Sequence, residues 1–459
     1  MANIKKLFEP TDMTVGTPWK SIAVFSIPML IGNIAQQLYN TVDSIVVGHY
    51  VGDNALAAVG SASPLLNMLL VLFVGISSGV GIMVAQYFGA KAREELSNTI
   101  GTCITVTAIT SLMLMLAAPP IIRPILQMLN TPDTIIGACT SYLVIMMYGI
   151  AGMAYYNILS GILRGMGDSF SALIYLLVAT VINIGLDLLF VAKFHMGVAG
   201  VALATAIAQG ISSVLCMWKL MHMRETFDLG IKELRMTKHH VVQIVELGLP
   251  SGLTQAIFSS AMIVMQSLTN SFGEMFIAAN VIVMRVDGFA MMPNFSFGTA
   301  MTTYSGQNVG AKKMDRVMLG AKQGTLMSVG CSAVITSIIL LFGKHLMGVF
   351  TTTTELVDLS MRMMRILAVG YIAMGVTQSL SGTMRGAGDT VTPMWISLCT
   401  TILIRVPIAY GISFLTRTAE LPYGRWECIP ISLLLSWVMG AVLTTIFYRR
   451  GKWKSKALS

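Results

Sequence analysis

Twelve stretches of about 20 or more mostly apolar residues, the length a helix needs to cross a bilayer, run through this sequence. They lie near 21–47, 55–86, 97–119, 137–160, 170–192, 198–220, 241–269, 277–306, 317–342, 361–382, 391–415 and 429–448. Only 11% of the residues are charged, against about 25% in an average soluble domain. The pattern predicts an all-α integral membrane protein with twelve transmembrane helices. The second and eighth runs are long and carry Pro64 and Pro293, which predicts kinks or tilt there. The opening "MANIKKLFEPTDMTVGTPWK" is polar and the run behind it is too long for a signal-peptide core, so that run is expected to be the first span.

Lysine and arginine set the orientation, because cytoplasmic connections carry their excess. With the N-terminus inside, twenty-one of the thirty fall on the inner side and seven on the outer; Arg285 and Arg405 lie within spans. Both termini are therefore expected in the cytoplasm, and the net charge of +9 is a matter of topology rather than nucleic-acid binding. The six cysteines show no CxxC or other metal spacing, so no cofactor is expected. The six histidines fall at span ends or in connections, which argues against an intramembrane enzyme.

The stretch "SGILRGMGD" at 160–168 is rich in glycine and carries an arginine, as phosphate-binding loops do. It recurs as "SGTMRGAGD" at 381–389, 221 residues later. "QYFGAK" at 86–91 and "QNVGAK" at 307–312 repeat the same offset, and "IPMLIG" at 27 aligns with "LPSGLT" at 249. The chain is thus two six-span halves. The N-lobe is expected over 1–222, a cytoplasmic linker over 223–240 and the C-lobe over 241–459. Six is even, so the halves are parallel repeats, an architecture of secondary transporters. The repeated stretch marks a cytoplasmic turn in each half; no strand precedes it and no GKS or GKT follows, so a nucleotide loop is excluded.

Only three carboxylates lie well inside spans: Asp43, Asp187 and Asp287. A charge there costs at least a few kcal/mol and needs a reason. In the first span Asn33, Gln36, Asn40 and Asp43 share one helical face, and in the fifth Thr180, Asn183 and Asp187 do. At 1.5 Å per residue, Asp43 and Asp187 sit roughly 32 and 24 Å above the inner ends of their helices, so the two stripes are expected to face each other. The carboxylates can take up and release protons, or the oxygens of Asp43, Asn183 and Asp187 can cage Na⁺. Helix-to-helix hydrogen bonding is the structural alternative. In the second half Asp287 can pair with Arg405 as a buried ion pair or meet substrate; Arg285, two residues from Asp287, does not share its face. Methionine suits promiscuous pockets, so Met262, Met265, Met284, Met291 and Met292 are candidates to line a cavity, ordinary packing being the alternative.

The motifs "QLYNTVDSIVVGHYVG" (37–52), "AQYFGAK" (85–91), "GILRGMGD" (161–168), "NIGLDLLF" (183–190), "GVAGVALAT" (197–205), "GQNVGAK" (306–312) and "GTMRGAGDT" (382–390) cover the chain in order. In them it resembles the multidrug and toxic compound extrusion (MATE) transporters, in the bacterial DinF-like branch. The resemblance implies two six-helix lobes around a central cavity and export of small amphipathic, often cationic, compounds driven by H⁺ or Na⁺. It implies a multi-pass protein of the bacterial cytoplasmic membrane, in contact with membrane lipids and working as a monomer. Gln36, Asp43, Asn183 and Asp187 match the N-lobe cation-site positions of relatives. Na⁺-coupled members of another branch carry acids in the seventh and tenth spans. Here "SGLTQAIFSSA" and "ILAVGYIAMGVTQ" carry none, which favours N-lobe coupling and H⁺ over Na⁺. A lipid or lipid-linked-saccharide flippase of the same superfamily is the alternative function. It would favour a larger cationic cavity, whereas this chain buries acids in its first half.

Overall fold

The computed structural model describes residues 9–129, 131–230 and 232–456, and among these the chain is helical, with no strand. Lys5 and Lys6, part of the cytoplasmic charge count, lie outside the described residues. The first six spans are α1 (Pro18–Tyr50), α2 (Asp53–Gly89), α3 (Arg93–Met128), the pair α4 (Asp133–Tyr148) and α5 (Ile150–Gly165), α6 (Ser169–Asp187) and α7 (Gly197–Met221). The next six are α8 (Lys238–Asn270), α9 (Glu274–Gly310), α10 (Met314–Gly348), α11 (Thr354–Gly386), the pair α12 (Val391–Leu398) and α13 (Arg405–Leu415), and α14 (Cys428–Arg450). Among the described residues eleven stretches are singly long and apolar enough to cross a membrane, and α4 with α5 makes a twelfth bent by 54°.

Helices α2 and α9 run unbroken through Pro64 and Pro293, while the fourth span breaks at Gly149, where there is no proline. Gly149 lets α4 and α5 meet hard against α7: a side chain there would collide with the methyl of Ala206.

The repeat seen in sequence is a repeat of packing. Gly165 lies so close to α2 that a Cβ would come within 2.7 Å of the Gly81 carbonyl, and Gly386 meets the Thr302 carbonyl of α9 in the same way. Gly161 against Ser77 and Gly382 against Gly298 are a second equivalent pair. Small residues let helix backbones approach closely where lipid offers no hydrophobic drive for association. The turns repeat too. Gly167 and Gly388 have φ of 86° and 96°, which glycine adopts without strain. Asp168 accepts from the backbone N–H and hydroxyl of Ser171 at 2.9 and 2.6 Å, and Asp389 from those of Thr392 at 3.1 and 2.7 Å. Burial pushes the Asp168 carboxyl up, against the pull of these hydrogen bonds. The repeated glycine-rich stretch is therefore a helix-packing surface ending in a capped turn.

The chain divides into two compact units, Met1–Asp12 with Ile27–Gly252 and Met13–Ser26 with Leu253–Ser459. The division falls inside α1 and α8. The segment 223–240 folds with the first unit. Arg93 donates to both Asp228 oxygens at 2.9 Å and to the carbonyls of Arg224 and Glu225, which holds the Asp228 carboxyl below the usual carboxylate range. In the second unit Arg316 does the same for the chain ahead of α1, donating to the carbonyls of Met13, Val15 and Gly16 at 2.9–3.2 Å. Here α9, α10, α11 and α14 enclose a core of Phe276, Met364, Tyr371 and Trp437.

Candidate cation site and ligand cavity

In the first unit an acidic site gathers from four helices. Asp43 comes from α1, and Asn183 and Asp187, one turn apart and fully buried, come from α6. The carboxyl groups of Asp43 and Asp187 stand beside one another, each among the groups that act on the other. The phenols of Tyr39 (α1) and Tyr142 (α4) stand beside both. Tyr39 donates to the Thr205 hydroxyl of α7 at 3.1 Å, and the Asn183 amide donates to the same oxygen at 3.4 Å. Asp187 is the last α-helical residue before a wider π-helical turn, Leu188–Lys193; such turns recur at functional sites.

Four oxygens remain without a donor. Oδ1 of Asp43, Oδ1 of Asn183 and both carboxylate oxygens of Asp187 are buried and accept no hydrogen bond from a donor group among the described residues. A buried acceptor left unmatched costs about 1–3 kcal/mol, more if charged, so the arrangement calls for a positive species. Among the described residues no three His, Cys, Asp or Glu side chains gather as a multivalent metal would require. Two acids and one amide oxygen fit a proton or a monovalent cation.

Two other residues read from the stripes, Gln36 and Thr180, stand a further turn or two along their helices. Gln36 lies seven residues, about 10.5 Å along the axis, from Asp43, and donates to Asn40 Oδ1 at 3.5 Å on an exposed side of α1. Thr180 is equally far from Asp187, and its hydroxyl donates to the Leu176 carbonyl at 2.9 Å. Tyr39, Tyr142 and Thr205 were not singled out by sequence; the one available signal was Tyr39, a single turn before Asp43.

The second unit holds a cavity of about 370 Å³. Met262, Met265, Met284 and Met291 line it; Met292 does not and is buried elsewhere. Asp287 and Arg405 line it too, whereas Arg285 is exposed and is not in its wall. The expected buried ion pair does not form: the three ion pairs among the described residues lie elsewhere. Asp287 reaches instead to the hydroxyl of Tyr371, which also lies 3.7 Å from the Met364 sulfur. Arg405 donates to the Ser436 hydroxyl at 3.2 Å. Each group found a neutral partner on a neighbouring helix.

Two acids seated in one half of a duplicated helical fold set a specific pattern, and the family model described as MatE matches both halves, over 28–189 and 250–411. The chain belongs to the MatE family. As a MatE protein it is a multi-pass membrane transporter and not an enzyme. Among its relatives, the "probable multidrug resistance protein YoeA" of Bacillus subtilis (strain 168) is 30% identical over 449 residues, covering 96% of this chain and 95% of that one. The "probable multidrug resistance protein YpnP" of the same organism is 27% identical, covering 97% and 98%. A crystal structure described as MATE in complex with MaL6 superposes with a TM-score of 0.89 at 23% identity, over 96% of this chain and 98% of that one. That likeness establishes the two-lobe MatE fold.

Proposed function

We propose that this MatE protein exports small amphipathic, often cationic, organic molecules across the cytoplasmic membrane, exchanging them for H⁺ bound by Asp43 and Asp187 through alternating access. The observation that carries the reading is the pairing of two carboxyl groups in a buried site with four oxygens unmatched among the described residues. A protonated pair is neutral and a deprotonated pair is not, so gaining or losing a proton changes the cost of burying the site by several kcal/mol. That difference biases which side the site faces. Tyr39, Tyr142, Asn183 and Thr205 hold the pair in place. Gln36, Asn40 and Thr180 flank it along the two helices. H⁺ is favoured over Na⁺ because, among the described residues, three side chains of the site offer unmatched oxygens, while a carboxyl pair holds a proton by itself.

The printed names of YoeA and YpnP support multidrug substrates, and the methionine-lined cavity of the second unit supports an adaptable binding surface. The distribution of Lys and Arg supports both termini in the cytoplasm. The protein acts as a monomer, each chain carrying both the cation site and the cavity. The test is Asp43→Asn in a strain lacking other pumps. The change keeps shape and removes the titratable group, so normal membrane abundance with loss of drug resistance is expected. Wild-type resistance at normal abundance would remove Asp43 from the mechanism.

A further inference from the structure

The second unit holds another, much smaller cavity, walled by α8, α11, α12, α13 and α14 and by the π-helical turn Cys399–Ile404. Its volume is about 50 Å³, room for roughly three or four waters and for no organic molecule. Two arginines stand in its wall, Arg385 from the last turn of α11 and Arg405 from the first of α13; among the described residues no carboxyl group does. Arg405 is 7% exposed, and its Nε has no acceptor. Burial alone acts on the Arg385 guanidinium, with no hydrogen bond or opposite charge beside it among the described residues. Ser381, Ser397 and Ser436 line the same space. The Ser436 hydroxyl accepts from Arg405 at 3.2 Å and keeps its own proton to donate.

A buried guanidinium without a counter-charge is costly. Asp287, whose charge acts on Arg405, lines the methionine cavity and not this one, so two cations against one carboxyl leave one positive charge over. The repeat supplies a control. At the 221-residue offset Arg385 corresponds to Arg164, but Arg405, Ser397 and Thr400 correspond to Ile184, Leu176 and Ala179. The turn shared by both halves therefore explains one arginine, while the second arginine and its hydroxyl neighbours belong to the second half alone. We propose that this cavity binds one small inorganic monoanion, a halide such as chloride. The N–H groups of Arg385 and Arg405 and the hydroxyls of Ser381, Ser397 and Ser436 donate to it. A halide accepts from many directions at once and is little larger than a water, so it suits converging donors in so small a space. The site rests on neither the acidic pair nor the methionine cavity.

The test is chloride binding to the purified full-length protein, titrated against gluconate, an anion too large to enter, at constant ionic strength. Broadening of the chloride NMR line reports the bound ion. The wild type is expected to give saturable broadening that bromide displaces, at one site per chain. Arg385→Gln and Arg405→Gln should each weaken binding about tenfold or more, the scale of one charge-assisted contact, and Arg385→Lys should recover part of it. Ser397→Leu introduces the side chain that the first half carries at Leu176. It should fill the cavity and abolish binding with both arginines in place, and it decides the matter where an arginine variant fails to give a monodisperse protein. Bromide soaked into crystals should produce an anomalous peak in this cavity. No saturable broadening in the wild type, equal binding in the monodisperse variants, or a bromide peak only outside this cavity overturns the proposal.

Discussion

At the scale of single residues, the acidic site was half legible. Asp43 and Asp187 announced themselves because a carboxylate in an apolar run has to be compensated, and Asn183 because it lies on the face of Asp187, one turn away. Helical periodicity fixes a face but not a depth, so it groups Gln36 and Thr180 with residues about 10 Å away along their axes. Tyr142 and Thr205 gave no signal, since tyrosine and threonine are ordinary in membrane helices and only tertiary packing brings these two to the acids. Thr205 is the most informative of these. Its hydroxyl accepts from both Tyr39 and Asn183, so Thr205→Val keeps the volume and strands two buried donors. A loss of about 1–3 kcal/mol of stability is expected from such unmatched groups, read as a lower melting temperature in detergent. Thr180→Val, which frees only a bond within its own helix, should move it much less.

At the scale of helices, the spans were legible because their length and apolarity are set by the bilayer. The bend was not, because it rests on a contact between Gly149 and Ala206 that no local pattern encodes. The segment 223–240 reads as a polar linker for a similar reason: its capture by Arg93 depends on where α3 begins. The glycine-rich repeat turned out to report packing, which yields a prediction that spans both halves. Gly165→Ala and Gly386→Ala would each drive a methyl into a backbone carbonyl of the neighbouring helix, whereas Gly185 faces open space. The first two should each cut the yield of monodisperse protein severely, in both halves alike. Gly185→Ala should leave yield unchanged, since alanine favours a helix by about 1 kcal/mol over glycine. Size-exclusion profiles of the three variants decide the matter. If all three behave like the wild type, close packing is not what the repeat preserves.

At the scale of the whole molecule, fold and function divide differently. The duplicated scaffold repeats its glycine contacts and its capped turns, yet among the described residues the acidic pair has no second-half equivalent. The second-half counterparts of Asn183 and Asp187, at the same 221-residue offset, are Ile404 and Ile408. Asymmetry of this kind is expected of a site kept for ion coupling and not of a contact each half needs to fold. The topology is open to a direct check. Cysteines placed at Glu274 and Glu420 should react with an impermeant label from outside the cell, and those at Lys91 and Lys312 only after permeabilisation; a reversed pair would undo the assignment. The central claim, that the paired carboxyls couple proton movement to export, is tested most directly in Na⁺-free proteoliposomes under an imposed pH gradient. Wild type and Ile408→Val should drive dye export, and Asp43→Asn and Asp187→Asn should not. Wild-type export in either Asp variant, or export by the wild type only when Na⁺ is supplied, would contradict the account.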